Sequence, residues 1–159
     1  MGKDSKLGID GLWVIALFLV ILMFFLYQEA DAAEIEAGPA FLSGEFSEGG
    51  ALLITERVGR FSVGGGYISK QYCHCNYPAD LRENIFFQGQ RIVEYKKAEI
   101  GIGAAYFQNT NRALGKNLTW SLSAGYGGEH WNVRIRHYSN AGSGSPNLGQ
   151  DMLTVGYRF

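Results

Sequence analysis

The sequence KAEIGIGAAYF at residues 97–107, with LTWSLSAGY at residues 118–126, decides the fold of this chain. Successive side chains of a strand point to opposite faces, so each stretch divides into two sets. In the first stretch one set, from Ala98 to Tyr106, contains only alanine, isoleucine and tyrosine, and the other, from Lys97 to Ala105, is charged, glycine or small. The second stretch sets leucine, tryptophan and tyrosine against threonine, serine and glycine. Both stretches therefore predict strands with one apolar face and one polar or small face.

The same alternation, bounded by turn residues, predicts eight strands. They are Glu34 to Ser43, Gly50 to Arg57, Arg60 to Ser69, Ile85 to Tyr95, Lys97 to Phe107, Leu118 to Tyr126, Trp131 to Ser139 and Asp151 to Phe159. Arg91 interrupts the alternation of the fourth strand, and Pro39 in the first predicts a bulge or a lost ladder bond. A soluble eight-stranded barrel would fill its interior with the apolar face, whereas small and polar inward residues are typical of an outer-membrane barrel. The fold class predicted is an all-β, eight-stranded antiparallel transmembrane barrel.

Connection lengths alternate between short and long. The turns near Val58-Gly59, Lys96 and Gly127-Gly128 are short, whereas residues 71–84 and 108–117 and the connection before Asp151 are long. In outer-membrane barrels short turns are periplasmic and long loops extracellular. We therefore expect a bacterial outer-membrane location with both mature termini in the periplasm. The aromatic end of the last strand is typical of chains inserted by the barrel-assembly machinery, which is the partner expected during insertion.

Residues 1–32 have the pattern of an export signal peptide. Lys3 and Lys6 precede an unbroken apolar run from Leu12 to Tyr27, and Ala30-Asp31-Ala32 fits a small-residue cleavage site. Cleavage after Ala32 leaves a barrel domain of residues 33–159. The alternative is a retained membrane anchor, but this run of 16 apolar residues is shorter than the roughly 20 residues that a spanning helix needs.

Composition and charge bear on other classes of function. The chain has 159 residues and a formal net charge of -1, which fits one domain and gives no basic excess for nucleic acid. Cys73-His74-Cys75 contains metal-ligand residue types, but three ligands so close on one loop do not form a structural zinc site. A disulfide or two loop thiols is the interpretation there. No metal or other cofactor is predicted, and the oligomeric state is left open, a homodimer included.

Three polar side chains lie on the apolar face of the last predicted hairpin, residues 131–159. By the period of two, His137 and Ser139 share the apolar face of their strand, and Asp151 shares that of the next. A serine hydroxyl becomes a nucleophile when a histidine accepts its proton, and a carboxylate fixes the histidine tautomer and stabilises the imidazolium. The sequence does not decide whether Asp151 pairs opposite His137 or Ser139. The alternative interpretation is an interfacial histidine and serine that contact lipid head groups.

The residues around this trio resemble a known family. His137-Tyr138-Ser139-Asn140-Ala141-Gly142, then Pro146-Asn147 and Gly149, then an acidic residue and a terminal strand are similar to the lipid A 3-O-deacylases, the PagL-type outer-membrane lipases. The motif covers the last sixth of the chain. The resemblance implies Ser139 as nucleophile, His137 as general base and then acid, and an acidic residue that orients the histidine. Asp151 stands where the family pattern has glutamate, a departure of one methylene group.

The same resemblance directs attention to the turn after the serine. Asn140, with the backbone N–H groups of Ala141 and Gly142, is the predicted oxyanion donor set, because a glycine-containing turn can aim amides at the developing charge. Arg134 and Arg136 point inward by phase, so neither is assigned to phosphate recognition.

We therefore expect a serine esterase that removes an ester-linked hydroxyacyl chain from lipid A, the lipid anchor of lipopolysaccharide. Its triad would lie on the lipid-facing side of the barrel at the outer leaflet, where the ester is reached laterally. Two alternatives stay open. One is a non-catalytic small barrel that acts as an adhesin or structural protein, and the other is a different envelope lipid esterase, such as a phospholipase.

Overall fold

The structure is a computed structural model that describes residues 32–42, 47–73, 80–109, 114–142 and 149–159. Within these residues, eight antiparallel strands close into a barrel and three short strands form a separate sheet. In chain order the strands are β1 (Ala32–Leu42), β2 (Ser47–Glu48), β3 (Gly50–Val58), β4 (Phe61–Ile68), β5 (Gln71–Cys73), β6 (Asp80–Leu81), β7 (Asn84–Tyr95), β8 (Ala98–Phe107), β9 (Leu118–Gly127), β10 (Trp131–Ser139) and β11 (Gln150–Arg158).

The barrel strands follow one another around the wall in the order β1, β11, β10, β9, β8, β7, β4, β3, and β3 pairs with β1 to close it. The predicted eight-stranded antiparallel barrel is confirmed, with each strand ending within two residues of its predicted bounds. Strands β2, β5 and β6 were not predicted from the sequence. A strand of two or three residues is too short to display a period of two.

Pro39 in β1 interrupts the hydrogen-bond ladder to β11 but does not produce a β-bulge. On one side of the proline Ala37 pairs with Val155, and on the other Ala40 pairs with Met152. The two strands advance by the same number of residues between these pairs, so the β1–β11 register contains no bulge there. Proline lacks an N–H group and cannot donate to the ladder. Of the two predicted consequences of Pro39, the structure therefore shows the lost ladder bond.

The outward face of the barrel is apolar. Ile54, Ile102 and Leu122 are 60%, 59% and 50% exposed, and the last two belong to the predicted apolar sets. At the short-turn end of the barrel, the rings of Trp131 and Tyr157 meet edge to face with their centroids 4.8 Å apart. An apolar surface of this extent, edged by aromatic rings, is the surface that a barrel presents to lipid.

The interior is divided into two layers. At the end of the barrel that carries the long connections, buried apolar side chains form the hydrophobic core, and they include Leu42, Phe86, Phe107, Tyr138 and Met152. Each of these residues lies at that same end of its own strand. Toward the short turns the interior is polar and charged, with Glu36, Arg134 and Arg136 at most 4% exposed. The inward phase predicted for the two arginines is confirmed.

The predicted signal peptide, residues 1–32, falls outside the described residues except for its last residue, Ala32, with which β1 begins. No helix in the described part of the chain is long and apolar enough to cross a bilayer. His74 and Cys75 also lie outside the described residues, so the predicted disulfide or thiol pair is not described.

Candidate active site

Strands β10 and β11 bring His137 and Asp151 into contact, and Ser139 lies two residues beyond His137 on the same face of β10. The two strands are antiparallel neighbours, and His137 is the direct cross-strand partner of Asp151. The sequence left open whether Asp151 lies opposite His137 or Ser139, and the register answers that it lies opposite His137. On its other side His137 pairs with Leu122 of β9, which is 50% exposed. The histidine therefore stands between a carboxylate and a lipid-facing leucine on the outer wall.

The histidine and the carboxylate are in direct contact. Nδ1 of His137 lies 2.6 Å from Oδ1 of Asp151, and their side chains are 44% and 17% exposed. An ionised carboxylate only accepts hydrogen bonds, so in a contact with an ionised Asp151 the donor is the Nδ1–H of His137. Asp151 also pairs with Phe41 of β1 across the other strand boundary. The carboxylate is thus held between two strands of the barrel wall.

Ser139 is the last residue of β10 and begins a tight turn. The backbone N–H of Ala141 donates a hydrogen bond to Ser139 Oγ at 3.1 Å. Ala141 and Gly142 both have left-handed backbone angles, with φ values of 53° and 76°. Such a conformation is uncommon for alanine and marks a position that the surrounding structure holds in place. The turn therefore keeps one amide donor beside the serine hydroxyl oxygen.

The side chain of Asn140 points into the barrel, away from the face that carries Ser139. Its side chain is 3% exposed, its Nδ2 donates to the carbonyl of Leu114 at 2.7 Å, and its Oδ1 accepts from the N–H of Gly142 at 3.0 Å. Of the predicted oxyanion donors, the Ala141 amide lies against Ser139, whereas the Asn140 and Gly142 groups form bonds that fold the turn onto the β8–β9 connection. The period of two that places Ser139 outward also places Asn140 inward, and this signal was present in the sequence.

Three aromatic rings, those of Phe86, Phe107 and Tyr138, pack together inside the barrel behind β10 and form what we call the aromatic floor. This cluster was not predicted from the sequence. Tyr138, between the histidine and the serine, is fully buried. Its ring lies edge-on to Phe86 and Phe107 at centroid distances of 5.4 and 5.3 Å, and its hydroxyl donates to Gln88 Oε1 at 2.7 Å. Gly66 makes room for this packing, because a Cβ there would lie 2.6 Å from the Phe86 ring. A side chain fixed by three neighbours restricts the backbone from which both flanking side chains project.

Below the floor, the inward residues of β10 form a closed ionic network. Arg134 Nη1 donates to Glu34 at 2.9 Å and to Glu36 at 2.5 Å, and the Arg136 guanidinium donates to both oxygens of Glu36. Thr154 of β11 donates to Glu36 at 2.6 Å. Burial of these charges is tolerated because each is paired and hydrogen-bonded. The network occupies both arginines, so they are not available to a ligand outside the barrel.

Within the described residues, no group of three histidine, cysteine or acidic side chains is arranged to hold a metal ion. The trio on the outer wall has instead the composition of a serine hydrolase site, with a hydroxyl, an imidazole and a carboxylate that contacts the imidazole.

Comparisons with known proteins give one sequence family and one solved structure to which the chain is similar. Residues 84–159 match the sequence model of the family described as lipid A 3-O-deacylase (PagL). A solved structure, described as the crystal structure of the outer membrane enzyme PagL, is similar to this chain, with 18% sequence identity and a TM-score of 0.49. The match covers 80% of this chain and 98% of the chain in the solved structure. No curated protein sequence matches the chain.

Proposed function

Because residues 84–159 match the lipid A 3-O-deacylase (PagL) family, which confirms the resemblance recognised from the motif, we propose that the chain hydrolyses an ester-linked hydroxyacyl chain of lipid A. The observation that carries the proposal is the 2.6 Å contact between His137 Nδ1 and Asp151 Oδ1 on the lipid-facing wall, two residues from Ser139 on the same face. Polar groups cost free energy on a surface that faces hydrocarbon, so a polar trio there points to a function in lipid chemistry.

Each side chain has one task in the reaction. Ser139 Oγ attacks the ester carbonyl carbon while His137 Nε2 accepts the hydroxyl proton, and Asp151 stabilises the imidazolium that forms. When the tetrahedral intermediate collapses, the bond to the sugar oxygen breaks, His137 gives the proton to that oxygen, and the acyl chain remains on Ser139. A water molecule, deprotonated by His137, then attacks the acyl-enzyme carbonyl, and His137 returns the proton to Ser139 Oγ as the hydroxy fatty acid leaves. No cofactor is required.

The oxyanion would be stabilised by the turn that follows the serine. The Ala141 amide is already 3.1 Å from Ser139 Oγ, which places a donor beside the carbon that Ser139 attacks. Asn140 and Gly142 support this donor by holding the turn through their mutual hydrogen bond and the bond to Leu114. Preorganised amide donors of this kind are among the largest contributions to acyl-transfer catalysis.

The position on the outer wall suits the substrate. The scissile ester of lipid A lies where head group and acyl chains meet, so it can approach the barrel laterally from the same leaflet. The trio lies at the end of the barrel that carries the long connections, where Ser139 closes β10 and Gln150 opens β11. The hydrocarbon chain then stays in the membrane throughout the reaction, next to exposed residues such as Trp120 and Leu122.

This mechanism assumes a bacterial outer-membrane location with the long loops outside and both mature termini in the periplasm, after removal of residues 1–32 by a signal peptidase. N-terminal sequencing of the protein from outer membranes should give Ala33 as the first residue. An epitope tag inserted at Gly144, outside the described residues, should be labelled on intact cells. An uncleaved protein in the inner membrane would contradict this topology.

The direct test is mass spectrometry of lipids from cells that express the parent or Ser139→Ala. Loss of one hydroxyacyl chain from lipid A in the parent, and not in the variant, supports the deacylase. Accumulation of lysophospholipid would indicate a phospholipase instead. No lipid change would favour the non-catalytic adhesin or structural barrel. Heat-modifiable migration on gels checks that the variant is folded, because β-barrels of this class migrate differently before and after unfolding.

A further inference from the structure

A cleft lies at the short-turn end of the barrel, opposite to the end that carries the candidate active site. Phe61, the first residue of β4, pairs with Arg91, so β7 continues past the β3–β4 turn to Tyr95. Because the β3–β4 hairpin ends before the β7–β8 hairpin does, a cleft of about 360 Å³ lies beside the shorter one. Its lining includes Arg57, Arg60 and Arg91, with Ile92, Val93 and Glu94.

The charges around this cleft do not cancel. Arg57 is occupied, because its guanidinium contacts Glu94 and lies 3.0 Å from Glu99. Among the described residues, no carboxylate lies within ion-pair distance of Arg60 or Arg91. The backbones of these two arginines are close, since the N–H of Ile92 donates to the Arg60 carbonyl at 2.7 Å. Two guanidinium groups without a protein counter-ion therefore border one cleft.

One side of the cleft lies on the outward wall of the barrel, and Ile92 lines it from the inward side. Arg91 belongs to the outward set of β7, and its neighbours on that face, Phe61 and Val93, are 51% and 63% exposed. A charged side chain on the lipid face is destabilising at the bilayer centre but costs little near the interface. Arginine next to aromatic and aliphatic side chains can keep its stem in hydrocarbon and place its guanidinium among head groups. The pattern interruption at Arg91 thus falls where the membrane surface is expected.

We propose that Arg60 and Arg91 bind the phosphate of an anionic glycerophospholipid in the leaflet opposite to the candidate active site. Guanidinium groups bind phosphate oxygens through paired, charge-assisted hydrogen bonds. The cleft accommodates the phosphate, and the acyl chains lie along Phe61 and Val93. The proposal rests on the membrane placement given under Proposed function and not on the deacylation chemistry. The phosphates of lipid A would lie at the other end of the barrel, so this site is separate from substrate recognition.

The test uses the full barrel, refolded in a neutral detergent, and native mass spectrometry with added dioleoylphosphatidylglycerol or dioleoylphosphatidylcholine. The parent should retain phosphatidylglycerol more strongly than phosphatidylcholine. The double variant Arg60→Gln with Arg91→Gln should lower the affinity for phosphatidylglycerol about tenfold or more, as expected when charge-assisted bonds to phosphate are lost. The matched control is Lys96→Gln with Lys97→Gln, which removes the same charge at the same end but does not line the cleft, and it should bind like the parent.

Three outcomes would overturn the proposal. Equal losses in the two double variants would mean general electrostatic attraction, and unchanged binding in the arginine variant would mean that the lipid binds elsewhere. Displacement of phosphatidylglycerol by millimolar inorganic phosphate would assign the site to free phosphate. Deacylation measured on the same samples keeps the two proposals apart, since lipid retention in an inactive parent would remove only the proposed function. Heat-modifiable migration confirms that both variants are folded.

Discussion

The two faces of strand β10 carry polar residues in opposite circumstances. On the inner face Arg134 and Arg136 are almost fully buried and donate to the carboxylates of β1. On the outer face His137 and Ser139 are partly exposed, and the histidine contacts a carboxylate of β11. Both faces use charged or polar groups next to an acid. Only the outer pair lies on the side of the wall that a lipid substrate can approach.

This difference separates stability from chemistry along one strand. A buried ion pair cannot lose one partner without leaving an uncompensated charge in the interior. An exposed pair at the end of a strand can lose a partner to solvent or lipid head groups at little cost, so its residues are open to a catalytic role. The four predictions that follow test whether the two faces of β10 separate in this way.

The largest expected effect is on the outer face. His137→Ala should lower the rate of deacylation by about 10⁴-fold or more, because both proton transfers are lost. Its free energy of unfolding should change by roughly 1 kcal/mol or less, since the side chain is not packed in the interior. Rates on purified lipid A and denaturant titration of the refolded barrel measure both quantities. His130→Ala, an exposed histidine at the short-turn end, is the control and should remain active; an active His137→Ala would remove the proposed base.

Asp151→Asn should have a somewhat smaller effect, with a rate lowered by about 10³- to 10⁴-fold but still above background. The amide no longer selects the correct histidine tautomer or stabilises the imidazolium, while Ser139 and the oxyanion donors are intact. Asp151→Glu introduces the residue that the family pattern has, and it should keep or raise the rate. Single-turnover kinetics on lipid A measure both variants. A dead Asp151→Glu beside an active Asp151→Asn would assign the third position to another residue.

The inner face should show the reverse behaviour. Glu36→Gln leaves Arg134 and Arg136 short of one counter-charge in a buried site, and it should cost about 3 to 5 kcal/mol of stability. Activity per folded molecule should stay close to that of the parent. The matched control is Glu56→Gln, a half-buried outer residue without an ion pair in the described part of the chain, which should change stability by less than about 0.5 kcal/mol. Denaturant titration separates them, and similar losses in both would refute the distinction between the faces.

The smallest expected effect is that of Asn140, an inward residue whose hydrogen bonds hold the turn after the outward Ser139. Asn140→Ala removes the bonds to the Leu114 carbonyl and the Gly142 amide, so the turn behind Ser139 should loosen and the rate should fall about 10- to 100-fold. The loss should be in kcat and not in KM, since substrate contacts are unaffected. The control is Asn117→Ala, which removes the hydrogen bond from Asn117 Nδ2 to the Phe107 carbonyl. Asn117 lies in the β8–β9 connection, which also contains Leu114. Equal losses in both variants would reduce the Asn140 bonds to general loop stability.

Much of the fold could be predicted because alternation is a local property. In β8 and β9 the alternating residue types indicate which side chains point outward and which point inward. The predicted bounds of the eight barrel strands agree with the observed bounds within two residues. The contact between His137 and Asp151 could not be predicted, because it depends on how the two strands are aligned across a ten-residue connection. A shift of one residue would have placed Asp151 inside the barrel.

The inward contacts of Asn140 could not be predicted for a different reason. Asn140 was assigned to the oxyanion set from the resemblance and the glycine turn, although its phase is inward. Its partner is the carbonyl of Leu114, 26 residues away. A contact between two separate connections leaves no local pattern in the sequence. The same holds for the aromatic floor, whose three rings come from three different strands.

The filled interior has a consequence for the envelope as a whole. Phe86, Phe107 and Tyr138 are buried across one end of the lumen, and Arg136 with Glu36 is buried below them. Because these two layers of buried side chains fill the lumen of the described barrel, we expect no water-filled route for ions and small solutes, in contrast to a porin. In a planar bilayer the barrel should carry no measurable current. A cell can therefore insert many copies into its surface without making that surface leaky to antibiotics or bile salts.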